Sequence, residues 1–176
     1  MRFFTIAEAT HWCRDLVRLD ERQCPLWPSA DKHHVRADLP VGHTQLMWFC
    51  RHLEQSLQPR DSCLLWVTDW GIWGSSENWH LYYRLRQSYG DVRLLHEAPA
   101  HLFLNYEGPD LITFLEVGIL SGWDMHLIPT VGYSRAFVSH DEFVEFSADE
   151  HNPALVEEFA KPLATSGIPS RPERSA

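Results

Sequence analysis

The chain has 176 residues, of which 44% are hydrophobic and 22% charged, and its formal net charge is −9. This length and balance are typical of one globular domain with its own core, and the negative charge argues against sequence-independent nucleic-acid binding and against anionic membrane surfaces. The first four residues are followed directly by polar and charged residues, so the apolar region of a signal peptide is not present there. No apolar stretch is as long as a membrane span, and we therefore expect a cytoplasmic protein without a signal peptide.

The first predicted helix begins at a capping box formed by Thr5 and Glu8, and its apolar spacing continues through about Leu19. From 21 to 43 prolines and a glycine interrupt every regular pattern, which predicts a long irregular segment. Loops of this length are typical of binding loops, lids or disorder. Within it, Trp27 would suit partner recognition if exposed and core packing if buried, and the sequence leaves both open.

Thr44 caps a second predicted helix, which Pro59 ends. The nearly continuous apolar run 63–68 then predicts a central strand buried on both faces. Asp69 follows at the carboxyl end of this strand, the edge where open α/β sheets place their ligands. Asp69 is therefore a candidate catalytic residue.

The next predicted helix spans 77–89 and carries two stripes of side chains. Trp79, Tyr83 and Arg86 recur at helical spacing on one side, and an aromatic pair with an arginine is a composition enriched at binding surfaces. We therefore predict that these three residues bind a partner. The other stripe is predicted to be buried and comprises Leu81, Tyr82, Leu85 and Tyr89.

A hairpin is predicted from strand-forming runs at 125–131 and 135–139, joined through Gly132 and Tyr133. A two-residue type II′ turn there would set His126 opposite Ser139 and Asp124 opposite Asp141. Period-two alternation sends one set of residues to the core, namely Met125, Leu127, Val131, Ala136 and Val138. The other face would gather Asp124, His126, Ser139 and Asp141, a candidate acid/base cluster in which one carboxyl needs a raised pKa.

A three-residue loop would instead set His126 against His140 and Asp124 against Glu142. Two imidazoles and two carboxylates suit zinc, manganese or iron. The turn chemistry disfavours this register, because three-residue hairpin loops usually end in glycine and this one ends in Ser134.

A purely structural interpretation of the same residues remains open. Ser139 and Glu142 have the spacing of a capping box, so they could simply start a helical turn. Asp124, which follows a glycine and a tryptophan, is likewise a common turn residue.

The remaining patterns predict regular elements and a C-terminal tail. They are strands at 92–95, 100–106 and 143–146, helices from Pro109 to Ser121 and from Asn152–Pro153 onward, and a flexible tail at 165–176. Together the elements predict a single α+β domain at 1–164, with a small mixed sheet and a C-terminal hairpin packed against about five helices. A three-layer α/β sandwich is the alternative.

The chain contains no established catalytic motif, so the leading expectation is a non-catalytic protein-binding module without a cofactor. It would contact another protein through acidic and aromatic surface, with Trp79, Tyr83 and Arg86 at its centre. The alternative is a metal-dependent hydrolase, in which zinc or manganese held by Asp124, His126 and either Asp141 or His140 with Glu142 would acidify a bound water. Asp69 would then serve as a further ligand or as the base.

Overall fold

A computed structural model describes residues 1–57, 61–70, 79–131 and 133–174, with the side chains of 79 and 172–174 outside the description. Five α-helices are present in these residues: α1 (Ile6–Cys13), α2 (His43–Ser56), α3 (Trp79–Ser88), α4 (Gly108–Leu120) and α5 (Ala154–Thr165). The strands are β1 (Arg2–Phe4), β2 (His33–Asp38), β3 (Ser62–Asp69), β4 (Ala100–Leu104), β5 (Asp124–Pro129), β6 (Ser134–Ser139), β7 (Phe143–Ala148) and β8 (Ser170–Arg174). Short 3-10 turns span Pro28–Ala30 and Asn105–Glu107.

All eight strands join one open sheet in the order β1-β4-β3-β5-β6-β7-β2-β8. The α+β class, the five helices and the C-terminal hairpin confirm the prediction. The sheet itself is larger than predicted, and every strand pair in the described residues is antiparallel where a mixed sheet was expected. The reason lies in the β3–α3–β4 segment, which returns antiparallel beside β3 instead of crossing over to a parallel neighbour.

Both faces of the sheet are covered, and β3 shows this most clearly. Leu65 and Val67 enter the main core, which is built with α2, α4 and α5, whereas Leu64 and Trp66 enter a second cluster with α1. All four side chains are at most 1% exposed. The predicted strand at 63–68, buried on both faces, is therefore confirmed.

Two predictions for the N-terminal part are wrong. Helix α1 ends at Cys13 and not near Leu19, because the chain turns there and brings apolar residues of 14–19 down onto the second cluster. The segment 21–43 is not wholly irregular, since it contains β2. Val35 and Ala37 of this strand alternate with polar residues and are 1% exposed.

Two further predictions also fail. Residues 92–95 are not a strand, and Val92 is 80% exposed, whereas the strand predicted at 100–106 is present and ends at Leu104. Where a flexible tail was predicted at 165–176, residues 170–174 are β8, whose backbone pairs with the outer edge of β2. No helix within the described residues is long and apolar enough to cross a bilayer.

Candidate functional site

The hairpin of β5 and β6 has neither of the predicted registers. His126 pairs with Phe137, which leaves a loop at 130–133. Thr130 explains the longer loop, because its backbone N–H donates to the Ser62 carbonyl oxygen at 2.9 Å and its Oγ1 accepts from the Ser62 backbone N–H at 2.9 Å. Thr130 is thus hydrogen-bonded to β3 and does not pair with β6 in the hairpin. Gly132, on which the predicted turn depended, lies outside the described residues.

The observed register differs from the favoured prediction by two residues, so the assignment of faces is retained. Four of the residues predicted to face the core are at most 1% exposed and belong to the main core, namely Met125, Leu127, Ala136 and Val138. Val131, the fifth, is partly exposed in the loop.

His126 lies apart from the other candidate residues. It is 3% exposed between Trp66 and Phe137, with its ring 4.7 Å from that of Phe137. Trp27 stacks on Phe137 at 4.6 Å and covers this part of the sheet. Burial, with a smaller effect from the positive charge of Arg135, lowers the pKa of His126 to about 3. His126 is therefore a neutral core residue, and it does not face Ser139 or His140 as the two predicted registers required.

Asp124 and His140 form the polar pair that the structure does bring together. The Asp124 carboxylate accepts from the His140 backbone N–H at 2.8 Å and lies 2.9 Å from its Nδ1. Nε2 of His140 is 3.6 Å from the Asp141 carboxylate. Asp69, at a bulge in the ladder, is opposite Asp124. Three of the predicted catalytic residues, Asp69, Asp124 and Asp141, thus surround His140.

The electrostatics of this cluster favour a charged imidazole. Partial burial acts to lower the pKa of His140, but the hydrogen bond to Asp124 and the charges of Asp124, Asp141 and Asp69 act in the opposite direction. The result is a His140 pKa above its ordinary value. The His140 side chain is 23% exposed, so protons can exchange with solvent.

Ser139 and Glu142 close the turn between β6 and β7 and do not start a helix. The Asp141 backbone N–H donates to Ser139 Oγ at 3.2 Å, and the Glu142 backbone N–H donates to the Ser139 carbonyl oxygen at 3.2 Å. Glu142 has φ of 63°, a left-handed conformation that is uncommon for glutamate. The predicted capping box is replaced by this tight strand connection.

The predicted binding stripe on α3 is not an exposed surface. Arg86 is 0% exposed, donates to Asp91 at 3.1 Å and lies 4.9 Å from the Phe3 ring. Tyr83 is half-buried, and its hydroxyl accepts from the Leu95 backbone N–H at 3.3 Å. The side chain of Trp79 lies outside the description. The expectation that Arg86 lies on a partly exposed face is wrong, because the residue is buried beside a carboxylate and an aromatic ring that compensate its charge.

The helix also exposes residues that were predicted to be buried. Leu81 is 53% exposed and Tyr89 is 40% exposed. Tyr82, in contrast, is 1% exposed, and its hydroxyl shares a hydrogen bond of 2.9 Å with Nε2 of His101. The helix is thus rotated relative to the predicted stripes, because it buries the Tyr82 and Arg86 side.

A groove that the sequence did not indicate lies beside the Asp124–His140 pair. It has a volume of about 460 Å³ and runs between 38–45, 141–142 and 167–169, and we call it the acidic groove. The Leu39 backbone N–H donates to the Glu142 carbonyl oxygen at 2.8 Å and the Asp38 backbone N–H to the Pro169 carbonyl oxygen at 3.0 Å, which holds the three segments together. Its exposed carboxylates are Asp38, Asp141 and Glu142, and its apolar residues include Leu39, Val41 and Ile168.

Among the described residues, no group of three or more His, Cys, Asp or Glu side chains is arranged to hold a metal ion. No protein-family model matches the chain, and neither the curated proteins nor the solved structures yielded a match.

Proposed function

We propose that this chain is a non-catalytic binding protein that holds a cationic segment of another protein in the acidic groove. The observation that carries the proposal is the convergence of Asp38, Asp141 and Glu142 on one groove, in which the described lining residues include no Lys or Arg. All three carboxylates are exposed. The net charge of −9 would attract a basic partner from a distance and accelerate its association.

The apolar walls of the groove suit the same kind of partner. Val41 is 97% exposed beside the carboxylates, and Ile168 forms part of the buried base of the groove. Lysine and arginine bury their aliphatic stems against apolar surface while their charged ends bind carboxylates. A groove of about 460 Å³ lies within the usual size range of ligand sites, so it can take a few side chains.

Fluorescence anisotropy with a labelled Lys/Arg-rich peptide tests this proposal. We expect the double variant Asp141→Asn/Glu142→Asn to bind about tenfold more weakly at low salt, because two charge-assisted contacts are removed. Asparagine suits position 142, since it tolerates a positive φ. The matched control is Asp15→Asn/Glu21→Gln, which makes the same change of charge at exposed positions elsewhere. Equal affinities of the two double variants would contradict the proposal.

The second candidate function is an enzyme, and the contact between Asp124 and His140 favours it. A carboxylate that holds Nδ1 orients the imidazole and leaves Nε2 available for general acid/base chemistry, with Asp141 and Asp69 close by. In a metal-dependent hydrolase, zinc or manganese would use Asp124 and His140 as ligands and would activate a water molecule.

Metal analysis of untagged, chelator-free protein and a screen for ester and phosphoester hydrolysis test this second candidate. Activity that His140→Gln abolishes, without a loss of melting temperature that explains it, would support acid/base chemistry. Near-stoichiometric zinc or manganese that is lost in His140→Gln would support the metal-dependent form. Protein without metal and without hydrolysis of any tested ester would count against the enzyme.

A further inference from the structure

Two arginines lie directly opposite each other on neighbouring strands. Arg36 of β2 pairs with Arg171 of β8, and residues paired in an antiparallel ladder share one face of the sheet. Like charges in this position repel each other and destabilise the sheet. On its other side Arg36 is opposite Glu145 of β7, so one neighbouring strand places a carboxylate beside Arg36 and the other places a second cation there. Arg171 has no such carboxylate opposite it among the described strands, and the second cation therefore requires an explanation.

The guanidinium groups of the two arginines do not form hydrogen bonds with other described residues of the fold. Arg36 is half-buried, and its guanidinium carbon lies 3.4 Å from the centroid of the Phe143 ring, which fixes the side chain by a cation–π contact. Arg171 is exposed. Within the described residues neither arginine has a hydrogen bond or an ion pair through its side chain, although Asp38 is close by. Their N–H donors thus remain available to an anion.

Both arginines line one pocket of about 320 Å³, which we call the arginine pocket; the other lining residues that the structure describes are Asp38 and Pro169. We propose that the arginine pocket binds the phosphoryl group of a phosphomonoester. A carboxylate is satisfied by a single guanidinium fork, whereas a phosphate carries close to two negative charges and three acceptor oxygens at neutral pH. Two adjacent guanidinium groups, one of them held in place by Phe143, match the larger charge.

The arginine pocket adjoins the acidic groove, because Asp38 and Pro169 line both. A peptide whose basic residues lie in the acidic groove could therefore place a phosphorylated residue against Arg36 and Arg171. This extension to a phosphorylated peptide rests on the proposed function above. Binding of phosphate itself does not, since a small phosphomonoester could occupy the arginine pocket alone.

The first experiment measures binding of inorganic phosphate and of free phosphoserine by calorimetry and thermal shift, against potassium chloride of equal ionic strength. Arg171→Gln is the test variant, because this side chain is exposed and its loss should not prevent folding. Arg51→Gln, at an exposed position on α2, is the matched control. We expect phosphate to stabilise the wild type and the control, and Arg171→Gln to bind about tenfold more weakly. Equal phosphate binding by both variants, or none by the wild type, would overturn the proposal.

The second experiment uses the shared residue Asp38. Removing its charge in Asp38→Asn should strengthen phosphate binding in the arginine pocket and weaken binding of the cationic peptide in the acidic groove. Opposite changes in the two dissociation constants would support adjacent sites of opposite charge. A change of both constants in the same direction would overturn this arrangement.

The third experiment distinguishes the two sources of phosphate with a basic peptide carrying serine or phosphoserine beyond its basic residues. Tighter binding of the phosphorylated form, lost in Arg171→Gln, would identify a phosphorylated partner segment. Equal binding of both forms, together with phosphate binding in the first experiment, would refute the peptide and leave a small phosphomonoester as the ligand. If the wild-type protein binds phosphate but neither form of the basic peptide, the proposed function is refuted and the arginine pocket is not.

Discussion

Acidification should destabilise this protein through two histidines that the fold keeps neutral. Burial is the main reason that the pKa of His101 and that of His126 each fall to about 3, and the charges of Arg86 and Arg135, respectively, contribute to the same effect. His126 can be tested separately, because His126→Phe removes its titration while a ring can still pack against Phe137.

The magnitude follows from the difference in proton binding between the two states. An unfolded histidine titrates near its ordinary pKa of roughly 6.5, so at pH 5 the unfolded chain binds a proton that the folded chain does not. The stability is thus present above pH 6.5 and is lost as the pH falls toward about 3. Between pH 7.5 and pH 5 each histidine should lower the free energy of unfolding by about 2 kcal/mol. A total of about 4 kcal/mol would be a large part of the roughly 5–15 kcal/mol that stabilises a domain.

Urea unfolding at pH 7.5 and pH 5, followed by the fluorescence of the eight tryptophans, measures this loss. We expect His126→Phe to lose about 2 kcal/mol less than the wild type on acidification, which corresponds to roughly 1 M in the urea midpoint. Other titrating groups are common to both proteins and cancel in the comparison. An equal loss in both would show that His126 is protonated in the folded state and would refute the reasoning.

Three further predictions concern the core, the cover of the sheet and the polar pair. Leu65→Ala should cost about 2–5 kcal/mol of unfolding free energy in urea, and Leu120→Ala, at a half-exposed position, about 0.5 kcal/mol or less; similar costs would contradict the assigned core. Arg135→Met removes hydrogen bonds to the Asp31 carboxylate and to two backbone oxygens of the segment 14–32, so limited proteolysis should cut that segment faster while the circular dichroism of the sheet is retained; an unchanged rate would speak against this role. The raised pKa of His140 means that its pair with Asp124 adds stability at low pH, which is lost as the pH rises through that pKa. His140→Gln should therefore destabilise the protein more at pH 5.5 than at pH 9, and equal urea midpoint shifts at both pH values would exclude a charged pair.

Period-two patterns predicted the faces of the hairpin but not its pairing. Met125 and Val138 enter the core as the alternation indicated, because burial selects the face of each residue. The register depends on Thr130, whose bonds to Ser62 connect it to a strand far away in sequence. A turn rule that considers only the loop residues cannot include such a contact.

The charged residues were harder to place than the apolar ones. Arg86 is fully buried because Asp91, five residues further along, and Phe3, from the start of the chain, compensate its charge. The acidic groove likewise forms from three separate segments of the chain, so no local run of carboxylates in the sequence indicates it. The strand β2 is different, since Val35 and Ala37 alternate with polar neighbours, and this signal was available in the sequence.

The position of β2 in the sheet has a consequence for how the chain folds. Val35 pairs with Phe146 on one side and with Pro172 on the other, so β2 lacks one neighbour until β7 has been made and the second until β8 has been made. Contacts this distant in sequence form late and slowly, since a long loop must close before they add stability. Asp38 of β2 and Pro169, which directly precedes β8, line both the arginine pocket and the acidic groove, so a chain in which β2 and β8 have not paired lacks these surfaces. A partner that recognises them would bind only chains that have finished folding.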